Sequence, residues 1–492
     1  AVAPGAGARR HLVTDSADAA RAGGWLHRIL VVLPVLALGA LIAASLVMVD
    51  RLGETPTAEP ALGQPRPSVP LLSVRRDLAP LADEAADRRL RTRLGEFVAG
   101  LPPDTCLSVD AGDVRFDHRI DDPQVPASST KIVTGVAVLV ALGGDFRYTT
   151  TVSTPTPPVE GVVAGDLHLI GGGDPILAQG EYAGRYRRPQ EFSDIRLLVD
   201  AIAAAGVVRV EGAIVGDESR YDTERYHPAW PPRFITQDQT GPLSALLVND
   251  GFVEWPITGA GPVKPALDPA AHAAEVLRLL LEERGITVAG GSGSGPAPAG
   301  APVVAEHRSP PLEDIVGQML SESDNATAEL LLKELGLQVG GAGTFSAGAA
   351  SVTRVLGEAG FDVEGTTILD GSGLSSGNSL DCELLMALLE HPPTADAIHD
   401  GLAVAGESGT LAERWQDTAL AGRIRAKTGT LNQVTALAGV AATEGAGEAT
   451  FALVVNVPEP ERIQLETIAA QQRLAELLVA HPDTPDLSAF AP

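Results

Sequence analysis

The sequence predicts an α+β protein: a host domain in two pieces, smaller inserted domains between them, and a transmembrane helix in front. Three observations predict it. An uncharged run of 21 residues, 29–49, precedes everything with a folded pattern. Strand and helix signals then mix at both ends of the remaining chain: an early hairpin and apolar helix, late paired strands and a closing helix. Between the two ends, residues 150–304 carry strand and turn signals of their own.

Residues 1–28 read as a cytoplasmic tail and 29–49 as the membrane helix. At ~1.5 Å per residue the run spans ~31 Å, the depth of a hydrocarbon core. Arg9, Arg10, Arg21 and Arg28 precede it and Asp50, Arg51 and Glu54 follow, which places the N-terminus inside and the rest outside. A cleaved signal peptide is the competing reading, but its apolar region is shorter than this run. Residues 50–77 form a linker in which Pro56, Pro60, Pro65, Pro67 and Pro70 favour a semi-rigid extended arm.

The host domain begins over 78–149. Residues 82–100 read as an amphipathic helix, and 105–110 with 114–118 as a hairpin turning at Ala111-Gly112. Residues 131–142 (KIVTGVAVLVAL) are apolar almost all round, which suits a central buried helix. The inserted region, 150–304, has strand-like pieces at 165–170 and 207–216, a helical patch at 270–283 and a flexible GGSGSGPAPAG at 290–300. The host domain resumes over 305–492, where 424–441 and 450–457 read as paired strands and 460–481 as a helix.

Composition excludes several functions. With 36 basic and 63 acidic residues the formal charge is −27, and such a chain lacks the clustered positive charge that nucleic acid requires. Two cysteines exclude a multi-cysteine zinc ribbon, and the ten histidines form no H-E-x-x-H; no metal or other cofactor is predicted. Cys106 and Cys382 either join in an exported protein or stand as two small buried thiols.

The chemistry concentrates at Pro126-Ala127-Ser128-Ser129-Thr130-Lys131, which opens the buried helix. Residues three apart share a helix face, so the Ser128 hydroxyl and the Lys131 amine can meet. A serine hydroxyl is a weak nucleophile until a base takes its proton, and lysine serves as that base only when uncharged. Bringing a lysine from ~10.4 to near 7 takes ~4–5 kcal/mol against the charged form, which burial beside a second cation supplies. Ser323-Asp324-Asn325 precedes a helical AELLLKEL; Ser323 and Asn325, two apart on a turn, can both reach a cleft, one relaying protons and one holding an amide, although the same triplet also makes an ordinary helix cap. Lys427-Thr428-Gly429-Thr430 lies on a predicted strand, where lysine and threonine suit a carboxylate and Gly429 admits a substrate backbone. Of only four lysines in the chain (Lys131, Lys264, Lys333, Lys427), two fall in these motifs. Gly373-Leu374-Ser375-Ser376-Gly377 matches a G-x-S-x-G nucleophile elbow, but its glycine/serine surroundings make it a turn.

The order S-x-x-K, S-D-N, K-T-G is that of penicillin-binding proteins and class A β-lactamases. From about residue 82 to 481 the sequence resembles the low-molecular-mass penicillin-binding proteins of the D-alanyl-D-alanine carboxypeptidase/endopeptidase type with a large insertion (class C). PASSTK, GDLHLIGGGDP, GPLSALLVND, SDN, LDGSGLS and AKTGTLNQVTALAG carry the resemblance, with 191 residues between Lys131 and Ser323. It implies a penicillin-binding-protein/serine β-lactamase-like transpeptidase domain, an antiparallel sheet flanked by helices. It also implies Ser128 as nucleophile, Lys131 as acylation base, Ser323 as proton relay and Asn325 as holder of the substrate amide. Lys427 and Thr428 would dock the terminal carboxylate, and the N–H groups of Ser128 and Thr430 would form the oxyanion hole. Peptidoglycan stem peptides and β-lactams are the implied partners. An acidic residue in the insertion can grip the stem's free amine in such proteins; the matching stretch, 231–241, departs from the pattern and offers Asp238. Two rival readings are a serine β-lactamase, which would need a deacylating glutamate that no E-x-x-L-N segment supplies, and an inert wall-binding module.

Overall fold

The computed structural model describes residues 79–184, 191–256, 263–445 and 447–484. The predicted membrane run and proline-rich linker lie outside the described residues, and among those described no helix is long and apolar enough to cross a membrane.

The chain enters through α1 (Ala79–Ala99), the hairpin β1 (Asp104–Ala111) and β2 (Val114–His118), and α2 (Thr130–Leu142). It then builds the insertion from β3 (Thr149–Ser153), β4 (Leu167–Ile170), α3 (Ile195–Ala204), β5 (Ile214–Asp217), α4 (Pro269–Glu283), β6 (Ser292–Ser294) and β7 (Val303–Arg308). It returns through α5 (Leu312–Glu322), α6 (Asn325–Gly340), α7 (Phe345–Glu358), α8 (Cys382–Leu389) and α9 (Ala395–Gly401). The last elements are β8 (Ala403–Val404), β9 (Ile424–Leu431), β10 (Val434–Ala442), β11 (Glu448–Asn456) and α10 (Leu465–Val479).

The first and last pieces of sequence join in one six-stranded sheet, β8-β9-β10-β11-β1-β2, antiparallel throughout. Alternate residues separate its two faces. Leu107, Val109, Leu437, Leu453 and Val455 pack under α1 and α10 with Leu90, Leu94, Leu474 and Leu478. Ala436, Ala438, Ala452 and Val454 face α2 and the helices around it, where Ile132, Val136, Met319, Leu331 and Leu385 meet. Burial on both faces explains why β10 and β11 read as nearly continuous apolar runs. One turn was not anticipated: 424–441 is two strands, not one, reversing at Asn432 and Gln433, where Asn432 is the single turn-favouring residue.

The insertion holds a mixed five-stranded sheet in the order β6-β5-β4-β3-β7. Strands β6, β5 and β4 run parallel, and α3 and α4 contribute Leu198, Ile202, Ala273 and Leu277 to its core. Part of the glycine/serine tract expected to be flexible is therefore an edge strand, Ser292 pairing with Ile214 and Ser294 with Gly216. Backbone pairing, not side-chain burial, recruits it; Ser292 and Ser294 are exposed.

Cys106 and Cys382 form a disulfide that ties β1 to the first residue of α8 across 276 positions. Both are fully buried. Replacing both with alanine is expected to cost about 2–4 kcal/mol of stability, since the closed loop is long. Denaturant titration of the double variant checks this, and an unchanged midpoint would contradict it.

Candidate active site

The nucleophile motif forms a tight turn, Ala127–Ser129, that leads directly into α2. Ala127 sits at φ 48°, an uncommon conformation for a residue with a Cβ. Two glycines press on that turn. A Cβ at Gly429 on β9 would stand 2.9 Å from the Pro126 carbonyl oxygen, and one at Gly373 would stand 1.9 Å from that of Ala127. The K-T-G glycine thus seats the strand against the nucleophile turn, a need distinct from the substrate approach the sequence suggested. Gly373 is also left-handed, at φ 82°. Gly373→Ala is expected to slow acylation at least about tenfold, because the left-handed penalty of ~1–2 kcal/mol adds to a collision that must move the turn. The rate of labelling by a fluorescent penicillin measures it.

Ser128 is half-buried at the head of the helix, and Lys131 is fully buried one turn on. Their Oγ and Nζ atoms are 3.3 Å apart. The amine also donates to Asn325 Oδ1 at 2.7 Å and to the Ser372 carbonyl at 2.8 Å. Burial draws Lys131 down to about 8, against the opposing pull of Glu329, Asp370 and Asp324. Near pH 7 roughly one molecule in ten then holds it uncharged.

Ser323 ends α5 in the left-handed region, φ 60°, and Asp324 caps α6 by accepting from the Thr327 N–H. The triplet is therefore a helix-to-helix corner as well as a cleft wall. Asn325 is committed twice: Oδ1 faces Lys131 and Nδ2 donates to the Gln239 carbonyl of the insertion at 2.6 Å. Lys427 is buried on β9 and donates to Ser323 Oγ at 2.8 Å and to the Thr428 carbonyl at 2.9 Å. Burial, then the neighbouring Lys131, holds it well below the usual lysine range. Thr428 Oγ1 donates to Thr410 Oγ1, and Thr430 is exposed opposite Thr435. The short β8 pairs with Arg425 and Ala426 alone among described residues, which leaves the following edge of β9 open.

The structure thus gathers Ser128, Lys131, Ser323, Asn325 and Lys427 into one hydrogen-bonded cluster, with Thr428 and Thr430 along the adjoining strand. Several contributors carried no local signal. Glu329 is hidden in the apolar face of α6, and Gln239 and Thr410 lie in loops. Asp370 and Ser372 belong to the glycine/serine stretch, which is a loop whose Ser375 is buried and accepts from the Gly377 N–H. Asp370 holds that loop by accepting from the N–H groups of Gly373 and Ser375, from Asn378 Nδ2 and from Trp230 Nε1. Beside the cluster lies a cavity of about 360 Å³ bounded by Ser323, Asn325, Asp238, Tyr182, Asp250 and Trp255. Asp238 is an exposed residue of its rim. Among the described residues no group of three His, Cys, Asp or Glu is placed to hold a metal.

Residues 104–266 and 263–476 match the profile of the D-Ala-D-Ala carboxypeptidase 3 (S13) family. The chain belongs to that family. It is a serine-type D-Ala-D-Ala carboxypeptidase, a hydrolase of the penicillin-binding class. A D-alanyl-D-alanine carboxypeptidase of Actinomadura sp. is 30% identical over 516 residues, covering 89% of this chain and 90% of the relative. Carboxypeptidase DacB of Mycolicibacterium smegmatis is 31% identical over 403 residues, 78% of this chain and 84% of its own. The crystal structure of penicillin binding protein 4 of Haemophilus influenzae superposes with a TM-score of 0.64 at 20% identity, covering 79% of this chain and 99% of that one. That likeness fixes the fold, the penicillin-binding-protein architecture of a sheet flanked by helices.

Proposed function

We propose that this S13 carboxypeptidase cleaves the terminal D-Ala-D-Ala bond of peptidoglycan stem peptides through an acyl-enzyme on Ser128. One observation carries the reading: a half-exposed serine hydroxyl 3.3 Å from a fully buried amine that burial brings toward neutrality. Ser128 Oγ attacks the carbonyl carbon while its proton passes to Lys131. Collapse of the tetrahedral adduct breaks the C–N bond; Ser323, backed by the Lys427 amine, gives its proton to the departing D-alanine nitrogen and regains one from the Lys131 ammonium through the hydrogen-bonded cluster. Water then attacks the ester, its proton passing to Lys131 and on to Ser128 Oγ as the acyl C–O bond breaks, and the shortened stem is released. The oxyanion is assigned to the N–H groups of Ser128 and Thr430, and Asn325 to positioning Lys131 and the substrate amide.

Lys427 and Thr428 receive the terminal carboxylate in this reading. An arriving anion raises the proton affinity of the buried Lys427, so the site becomes cationic as its ligand enters. The open edge of β9 supports an extended substrate laid beside the strand. Asp238, on the cavity rim, is the candidate partner for the free amine of the stem. Lys427→Ala is expected to weaken turnover of substrates with a free terminal carboxylate about 10–100-fold more than of their amides, the value of a charge-assisted hydrogen bond. Equal losses for both would contradict docking at Lys427.

β-Lactams would acylate the same serine and leave slowly. The enzyme would work outside the cytoplasmic membrane, tethered by residues 29–49; the flanking charges and a buried disulfide, which persists in oxidising compartments, support that placement. Labelling with fluorescent penicillin coupled to a D-alanine release assay tests the whole reading. Slow covalent labelling with release is expected, whereas rapid penicillin turnover or neither activity would overturn it.

A further inference from the structure

Behind the catalytic lysine sits a carboxylate that the mechanism above does not use. Glu329 lies one turn after Asn325 on α6 and is fully buried. Its two oxygens accept from successive backbone N–H groups, Oε2 from Gly371 at 2.9 Å and Oε1 from Ser372 at 2.8 Å. The carbonyl of that same Ser372 accepts from Lys131 Nζ. Thr134 of α2 takes the neighbouring Gly371 carbonyl at 2.8 Å. One glutamate fork therefore fixes the peptide that fixes the base.

We propose that Glu329 is a positioning residue for the reaction: through the Ser372 peptide it aims Lys131 at Ser128, and through its charge it sets the pH at which Lys131 gives up its proton. The inference rests on Lys131 being the acylation base. The groups facing Lys131 are Glu329 and Asn325 from α6, Asp324 from its cap, Asp370 from the loop, and Lys427 from β9. Glu329 is the largest influence opposing the burial that discharges Lys131. Glu329 itself is pushed far above the usual carboxylate range by burial and then by Asp370. The two groups therefore give up their protons in overlapping steps as pH rises, and an ionised Glu329 holds the proton on Lys131 to a higher pH than a neutral side chain would. Ser128 passes its proton only to the uncharged amine.

The test is the pH profile of acylation by fluorescent penicillin. Glu329→Gln removes the charge, and the pH of half-maximal acylation is expected to fall by about one unit. Glu329→Asp keeps the charge, and its midpoint is expected to stay with the unaltered enzyme even where its plateau drops. A Gln variant with a lower plateau and an unmoved midpoint would overturn the proposal, because a purely structural role moves the plateau alone. Should the Gln variant fail to fold, infrared spectra of the unaltered enzyme keep the question decidable. A protonated-carboxyl band is expected to fade over the pH range in which acylation rises and to persist to higher pH in Lys131→Met; its absence overturns the proposal. The base assignment fails separately, if Lys131→Met acylates at the normal rate.

Discussion

Ser128→Ala is expected to show no covalent labelling by penicillin and to release D-alanine at least ~10⁴-fold more slowly than the unaltered enzyme. The hydroxyl is the atom that becomes the ester oxygen, so no neighbour can substitute for it. Ser129 and Thr130, next along the chain, are buried, and the Thr130 hydroxyl is bonded back to the Ala127 carbonyl at 2.9 Å. Ser323 already has the Lys427 amine at 2.8 Å and lies outside the nucleophile turn. The fold should survive, since Ser128 is half-buried and contributes one hydroxyl contact. Mass spectrometry of the intact variant after incubation with penicillin is the check. An adduct on the alanine variant would move the nucleophile elsewhere.

Lys131→Met is expected to lower acylation by about 10²–10⁴-fold while binding of stem peptide persists, the range that loss of a general base produces. Methionine matches the length of the lysine stem and carries no charge. The substitution therefore separates proton transfer from packing, and it leaves the acceptors Asn325 Oδ1 and the Ser372 carbonyl unfilled. That cost, about 1–3 kcal/mol for each buried acceptor, lowers stability without restoring a base. The pH profile carries a second signature. A lysine held near about 8 makes acylation climb as pH rises through that value, because only the unprotonated amine accepts the Ser128 proton. The steep limb should vanish in the variant. Labelling at an unaltered rate would remove Lys131 from its role.

The parts legible in the sequence were those written in local spacing. A spacing of three positions from Ser128 to Lys131 on a helix becomes a 3.3 Å contact because a helical turn is a fixed length. The hairpin at Gly112 and the apolar helix α2 follow from periodicity in the same way. What escaped was set by distant parts of the chain. The turn at Asn432 and Gln433 is marked by a single turn-favouring residue, Asn432, between two stretches that both read as strand. β6 is a strand because Ile214 and its neighbours offer a parallel edge, which no serine or glycine could announce. The aim of Lys427 at Ser323 depends on α5 ending in a left-handed residue beside β9. Glu329 reads as one of three charges on α6, with Lys333 and Glu334, and its meaning appears only when the loop from Asp370 folds over it.

The central claim is that Lys131 gives up its proton close to physiological pH and so can take the proton of Ser128. The chain has only four lysines, so ¹³C labelling of their side chains gives a spectrum simple enough to titrate directly. Assigned by its loss in Lys131→Met, the Lys131 signal is predicted to titrate near about 8 and to disappear from that range once penicillin occupies Ser128. A Lys131 signal that titrates with an exposed lysine, near about 10.4, would contradict the account.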